Sequence, residues 1–210
     1  MINIESLVYT VPAALIAITL HEYAHGYVSY KLGDPTPKQM GRLSLNPFAH
    51  LDPIGTLCLI FFHFGWAKPV CVNPYYYKDQ KKGMVLVGLA GPLMNFILAF
   101  ISALFMAIII KKTGGYVGNF TYYLFNFLNV CYVLNIGLGV FNLIPFPPLD
   151  GAKIVGGLLP EHIYFNFMKY ERYGQLIIFG LLAFGALDKP LAILRSGVDW
   201  IIWGITNLII

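Results

Sequence analysis

The 24 residues from Leu7 to Tyr30 carry no acidic, basic or imidazole side chain except His21, Glu22 and His25. As an α-helix this stretch measures about 36 Å, enough to cross a hydrocarbon layer with some tilt. Pro12 lies near its start, where proline is tolerated or bends the helix. Gly33-Asp34-Pro35 predicts the turn that ends it. A second apolar run, Gly83 to Ile110, is bracketed by Lys81-Lys82 and Lys111-Lys112. A third, Tyr122 to Ile144, stops at Pro145-Phe146-Pro147-Pro148. Tyr173 to Leu187 is shorter, and the stretch to Ile210 holds Arg195 and Asp199, so it could span, tilt or lie in the interface.

Residues 31–82 break this pattern. Asn46-Pro47 and Asp52-Pro53 interrupt helices, and Ile54 to Phe64 is too short to cross as one. Residues 65–74 contain Pro69, Pro74 and β-branched Val70 and Val72, which favour extended chain. A short re-entrant or β-hairpin element is therefore expected at residues 54–74. Tyr75, Tyr76 and Tyr77 read as an interfacial aromatic belt. The expected fold is an all-α polytopic membrane protein of four to six membrane segments, forming one domain over residues 1–210.

Composition agrees with this pattern. Hydrophobic residues make up 58% and charged residues 11%, and mean hydropathy is +0.68. A water-facing surface built from that mixture would be largely apolar, which soluble monomers rarely tolerate. The net charge of +4 is small and scattered, which argues against a nucleic-acid partner. Seven of the 14 Lys and Arg fall within residues 31–82, and only Lys111 and Lys112 lie between the next two spans. The positive-inside rule then puts loop 31–82 in the cytoplasm of a cell-membrane protein. Residues 1–6 hold Glu5 and no basic residue, unlike a cleavable signal peptide. Cys58, Cys71 and Cys131 are odd in number and irregularly spaced, so no disulfide framework is expected.

The chemistry concentrates at His21-Glu22-Tyr23-Ala24-His25. On a helix, residues four apart differ by about 40° in direction, so both imidazoles share a face, with Glu22 about 60° from His25. Two neutral imidazoles at this spacing chelate Zn²⁺, and a glutamate between them can serve as general base toward metal-bound water. Ionisable groups at membrane depth need such a compensating partner. A catalytic zinc site needs a third protein ligand. Asp150 is the candidate, because it follows an apolar span directly, across a proline-rich break and just before Gly151. Capping a helix over residues 151–159 is the alternative for it.

These motifs resemble the site-2 protease family of intramembrane zinc metalloproteases. The resemblance rests on His21-Glu22-x-x-His25, on Gly91-Pro92-Leu93-Met94-Asn95, and on Asn142-x-x-Pro145-x-Pro147-x-Leu149-Asp150-Gly151. Gly41-Arg42-Leu43-Ser44-Leu45-Asn46-Pro47 through His50-Leu51-Asp52-Pro53 is similar to a loop of small prokaryotic members. The resemblance implies one Zn²⁺ per chain, held by His21, His25 and Asp150, with Glu22 as the catalytic residue. It implies that Asn95 and Asn142 contact substrate, although helix packing would explain Asn95 equally well. The implied partners are the lipid bilayer and proteins or peptides with transmembrane segments; homo-oligomers are left open. A PDZ insertion between the second and third spans, for which the loop is too short, and an appended CBS domain are not expected. Two alternatives stand beside this reading. One is a prenyl-protein type of protease with Glu161 or Glu171 as third ligand. The other is a membrane zinc transporter or metal-sensing scaffold using the same ligands.

Overall fold

The computed structural model describes residues 4–53, 55, 58, 66–114, 118–160, 163 and 171–210. Helix α1 (Ile4–Lys31) contains Pro12. A turn leads to the short α2 (Thr36–Gln39). Helix α3 (Gln80–Thr113) begins where Asp79 accepts from the Lys82 amide, and it ends at Gly114 in the left-handed conformation. Helix α4 (Asn119–Asn142) is followed by the proline-rich break, α5 (Asp150–Leu158), α6 (Glu171–Ala183) and α7 (Asp188–Ile209).

Among the described residues, three helices are long and apolar enough to cross a membrane: α1 from Ser6, α3 and α4. A fourth candidate joins Leu176–Ala183 to α7 through an 89° bend, with Gly185 at positive φ in the connection. The chain is thus an all-α multi-pass membrane protein with three candidate spans among the described residues, which reach the expected four only when the bent pair counts as one. Helix α3 overruns its predicted apolar limits at both ends, because a capped helix continues through flanking lysines into water. Helix α4 stops three residues before Pro145, as the clash of a proline with the preceding turn requires.

Helix α3 is the centre of the packing and touches α1, α4, α5 and α7. Its inward face is small or polar, with Gly91, Asn95, Ala99, Ser102 and Ala103 all buried. Its outward face carries Leu86, Leu93, Ile97, Ile101 and Phe105, each at least two-fifths exposed. That inversion suits lipid, since small residues let helices approach while large apolar ones meet acyl chains. Beyond the polar layer, Ala99, Ala103 and Met106 pack with Tyr132, Ile136 and Val140 of α4 and Ile202 of α7.

The polar half of the chain is tied to α1. Asp34 is fully buried and accepts from the Ser29 hydroxyl and from the amides of Thr36 and Asn73. Tyr77, expected in the aromatic belt with Tyr75 and Tyr76, is instead buried beneath α3 and bonded to Ser29. Of the element expected at residues 54–74, positions 54, 56–57 and 59–65 lie outside the described residues. Its flanks meet at an antiparallel bridge between Leu51 and Ala67, and the Lys68 amide donates to the His50 carbonyl at 2.9 Å. The Arg42 guanidinium joins the carbonyls of Ala49 and Lys68, fastening both flanks. Residues 66–73 form no helix, and the amides of Val70 and Asn73 bond to Glu22 of α1 and to Asp34 just beyond it.

Candidate metal centre

The two imidazoles of α1 do share a face, and a carboxylate from the far side of the proline-rich break meets them. Asp150 Oδ2 lies 2.9 Å from His25 Nε2 and 3.1 Å from His21 Nε2. The two Nε2 atoms are 3.0 Å apart. All three side chains are at least nine-tenths buried. Among the described residues this is the one group of three or more His, Cys, Asp or Glu placed to hold a metal ion.

The other ring nitrogens show which way the imidazoles are protonated. His21 Nδ1 is 2.6 Å from Asn95 Oδ1, and His25 Nδ1 is 2.6 Å from the Val87 carbonyl. Both partners accept, so each Nδ1 carries the proton and each Nε2 turns a lone pair to the centre. Two lone pairs and a carboxylate oxygen about 3 Å apart repel one another unless a cation lies between them. Two imidazoles with one carboxylate are a donor set that suits Zn²⁺.

Close helix approach makes this geometry feasible. A Cβ on Gly91 would lie 2.4 Å from His25 Nε2 and 2.5 Å from His21 Cε1, so α3 reaches the histidines only because position 91 has no side chain. A Cβ on Gly151 would come within 2.4 Å of the carbonyls of Leu143 and Ile144, where α5 folds back on the end of α4. Asp150 opens α5, but Leu149 occupies the capping position. The Asp150 carboxylate faces the histidines, and Lys153, one turn on, holds its second oxygen at 2.8 Å.

Glu22 joins His21, His25 and Asp150 in one cleft of about 460 Å³. Val70 and Asn142 also line that cleft. Glu22 Oε2 accepts the Val70 amide at 2.9 Å. The Asn142 amide group donates to the Leu138 carbonyl at 3.0 Å. Asn95 does not line the cleft: it is fully buried behind His21, with its amide group bonded to Asn135 and Ala17. Glu161 and the side chain of Glu171 lie outside the described residues, as do His63 and His162.

Sequence reasoning missed Lys153, the Val70 amide and the Val87 carbonyl. Only Lys153 left a signal, a cation three residues after an acid on a short helix.

Comparison with known proteins places this architecture. The profile of peptidase family M50 matches residues 110–184. The candidate zinc metalloprotease YwhC of Bacillus subtilis (strain 168) is 40% identical over 169 residues, 80% of this chain and 77% of YwhC. The chain belongs to peptidase family M50. The zinc metalloprotease MJ0392 of Methanocaldococcus jannaschii is 26% identical over 183 residues, 85% of this M50 chain but 43% of its own length. Rip2 of Mycolicibacterium smegmatis, a candidate zinc metalloprotease, is 25% identical over 83% of this chain and 66% of its own. No solved structure gives a significant match. Family membership and the buried His-His-Asp donor set together make this M50 protein a zinc metalloprotease.

Proposed function

We propose that the chain is an intramembrane protease that hydrolyses peptide bonds within or near transmembrane segments of other proteins. The observation that carries this reading is the meeting, in one cleft between candidate membrane helices, of three metal-type donors and a fourth group, Glu22, that is not needed to hold a metal. His21, His25 and Asp150 would hold one Zn²⁺. Bound there, zinc supplies Lewis acidity, which polarises a substrate carbonyl and makes water easier to deprotonate.

The remaining steps belong to the chain's own side chains. Glu22 accepts the proton of the attacking water at a carboxylate oxygen and hands it to the departing amine. Asn142, on the cleft wall, positions the substrate backbone. A membrane helix hides its carbonyls in its own hydrogen bonds, so the target segment has to unwind first. Residues 66–73, whose prolines and β-branched residues favour extended chain, would offer an edge on which an unwound segment could pair. The lysine-rich loop 31–82 faces the cytoplasm, and water reaches Glu22 from that side. Transmembrane-segment proteins or peptides and the bilayer are the partners.

The test is metal analysis and peptide cleavage on detergent-purified protein. Wild type should bind one zinc and cut transmembrane peptides. Glu22→Gln should keep the zinc and lose cleavage by roughly 10²-fold or more. A transporter or sensor built on the same ligands predicts the opposite, with Glu22→Gln fully functional.

A further inference from the structure

Behind His21 runs a chain of amides that crosses three helices. His21 Nδ1 meets Asn95 Oδ1 at 2.6 Å. The Asn95 amide group donates to Asn135 Oδ1 at 2.8 Å and reaches the Ala17 carbonyl at 3.4 Å. The Asn135 amide group donates to the Cys131 carbonyl at 2.8 Å. Asn95 and Asn135 are at most 1% exposed, so water does not compete for these bonds.

The direction of the chain is fixed at its far end. A backbone carbonyl only accepts, so the Cys131 oxygen holds the NH₂ of Asn135 toward itself and turns Asn135 Oδ1 to Asn95. That oxygen, with the Ala17 carbonyl, holds the NH₂ of Asn95 away from His21 and leaves Oδ1 for the ring. With its amide turned over, Asn95 would offer NH₂ to Nδ1, and the imidazole proton would move to Nε2. A protonated Nε2 has no lone pair for a metal.

We propose that Asn135 of α4 is a positioning residue for the metal centre: it keeps Asn95 from flipping and so holds His21 in its ligating tautomer. This rests on the zinc reading above. Outer partners of ligating histidines commonly govern metal affinity in this way. Ordinary helix glue makes a different forecast. If Asn135 only bound α4 to α3, its loss would lower the stability of the metal-free protein and leave metal affinity alone.

The discriminating variant is Asn95→Asp. A carboxylate presents an acceptor to His21 Nδ1 whichever way it is turned, so it has no need of Asn135. Zinc affinity would be measured by chelator competition on detergent-purified protein, with Co²⁺ absorption reporting coordination and thermal unfolding of the metal-free form reporting the fold. Asn135→Ala should weaken zinc about tenfold or more. Asn95→Asp combined with Asn135→Ala should restore it to within about threefold of wild type, a rescue that packing alone cannot give. Should Asn135→Ala not fold, the volume-conserving Asn135→Leu replaces it in both arms. Wild-type affinity in a folded Asn135 variant, or no rescue by Asn95→Asp, overturns the proposal while leaving the metalloprotease reading intact. Failure of wild type to bind zinc removes both.

Discussion

The amide of Val70 donates to Oε2 of Glu22 at 2.9 Å, joining a non-helical segment to an acid 48 residues earlier in the sequence. The segment is itself anchored, since Lys68 pairs with the His50 carbonyl and Arg42 grips the Lys68 carbonyl. A hydrogen bond to a charged group contributes about 1.5–3 kcal/mol, enough to fix one carboxylate rotamer beside the metal ligands. Val70→Pro deletes that donor. Peptide cleavage should fall about tenfold or more while zinc content stays at wild type, and Val70→Ala, which keeps the amide, should cleave normally. Equal cleavage by the proline and alanine variants would sever Val70 from the chemistry.

Gly91 gives a steric test. A methyl group there would sit 2.4 Å from His25 Nε2, so α3 would have to move away from α1. Overpacking of this kind costs about 1–3 kcal/mol, and the two histidines bear it directly. Gly91→Ala should weaken zinc binding about tenfold, read by chelator competition. Gly137→Ala, within α4 at a position with open space around it and ordinary helical backbone, serves as a control for the metal centre.

Asp34 predicts a pH dependence. Burial pushes its carboxyl upward, but hydrogen bonds from Thr36, Asn73 and Ser29 outweigh burial and hold it below its ordinary value. A carboxyl lowered in the folded state adds stability above its unfolded pKa of about 3.9, and that contribution is lost as pH falls through the lower folded value. Asp34→Asn should therefore destabilise the protein by about 1–3 kcal/mol at pH 7. The gap between variant and wild-type melting temperatures should narrow progressively below about pH 4. A gap that is constant across this range would remove the carboxylate from the account.

The identity of the third ligand is tested by loss of metal. Asp150→Ala should abolish stoichiometric zinc, because it removes the one carboxylate among the described residues that meets both imidazoles. Glu161→Ala and Glu171→Ala should each retain it. Zinc loss in either glutamate variant, with retention in Asp150→Ala, would favour the prenyl-protein arrangement.

Much of this centre could be read before any coordinates. The four-residue spacing of His21 and His25 dictates a shared face on any helix, and the apolar runs dictated the helices. Asp150 was weaker: only its place after a proline-rich break, and the family resemblance, set it apart from the other acids. Val70 and Lys153 could not be assigned their contacts, because an amide meeting a distant carboxylate leaves no periodic trace. Asn95 shows a subtler limit. Its helix face follows from Gly91, yet whether that face turns to the cleft or to a neighbouring helix depends on how α3 is rotated against α1. Tyr77 misled in the same way, since three consecutive tyrosines look alike until one of them slides under Gly83.

The length of α3 sets the depth of the chemistry. On the intramembrane reading, Lys111 and Lys112 would mark one headgroup layer, and Gly91 lies 20 residues back along the helix. For a helix near the membrane normal that rise is about 30 Å, a full hydrocarbon thickness. Gly91 is also nine residues, about 14 Å, from Lys82 at the other end, so the helix is too long for an upright span and tilts, and reaction would take place about a third of the way in from the Lys82 side. A scissile bond would then lie in the half of its own membrane anchor nearer that side, about two to three turns in from its end.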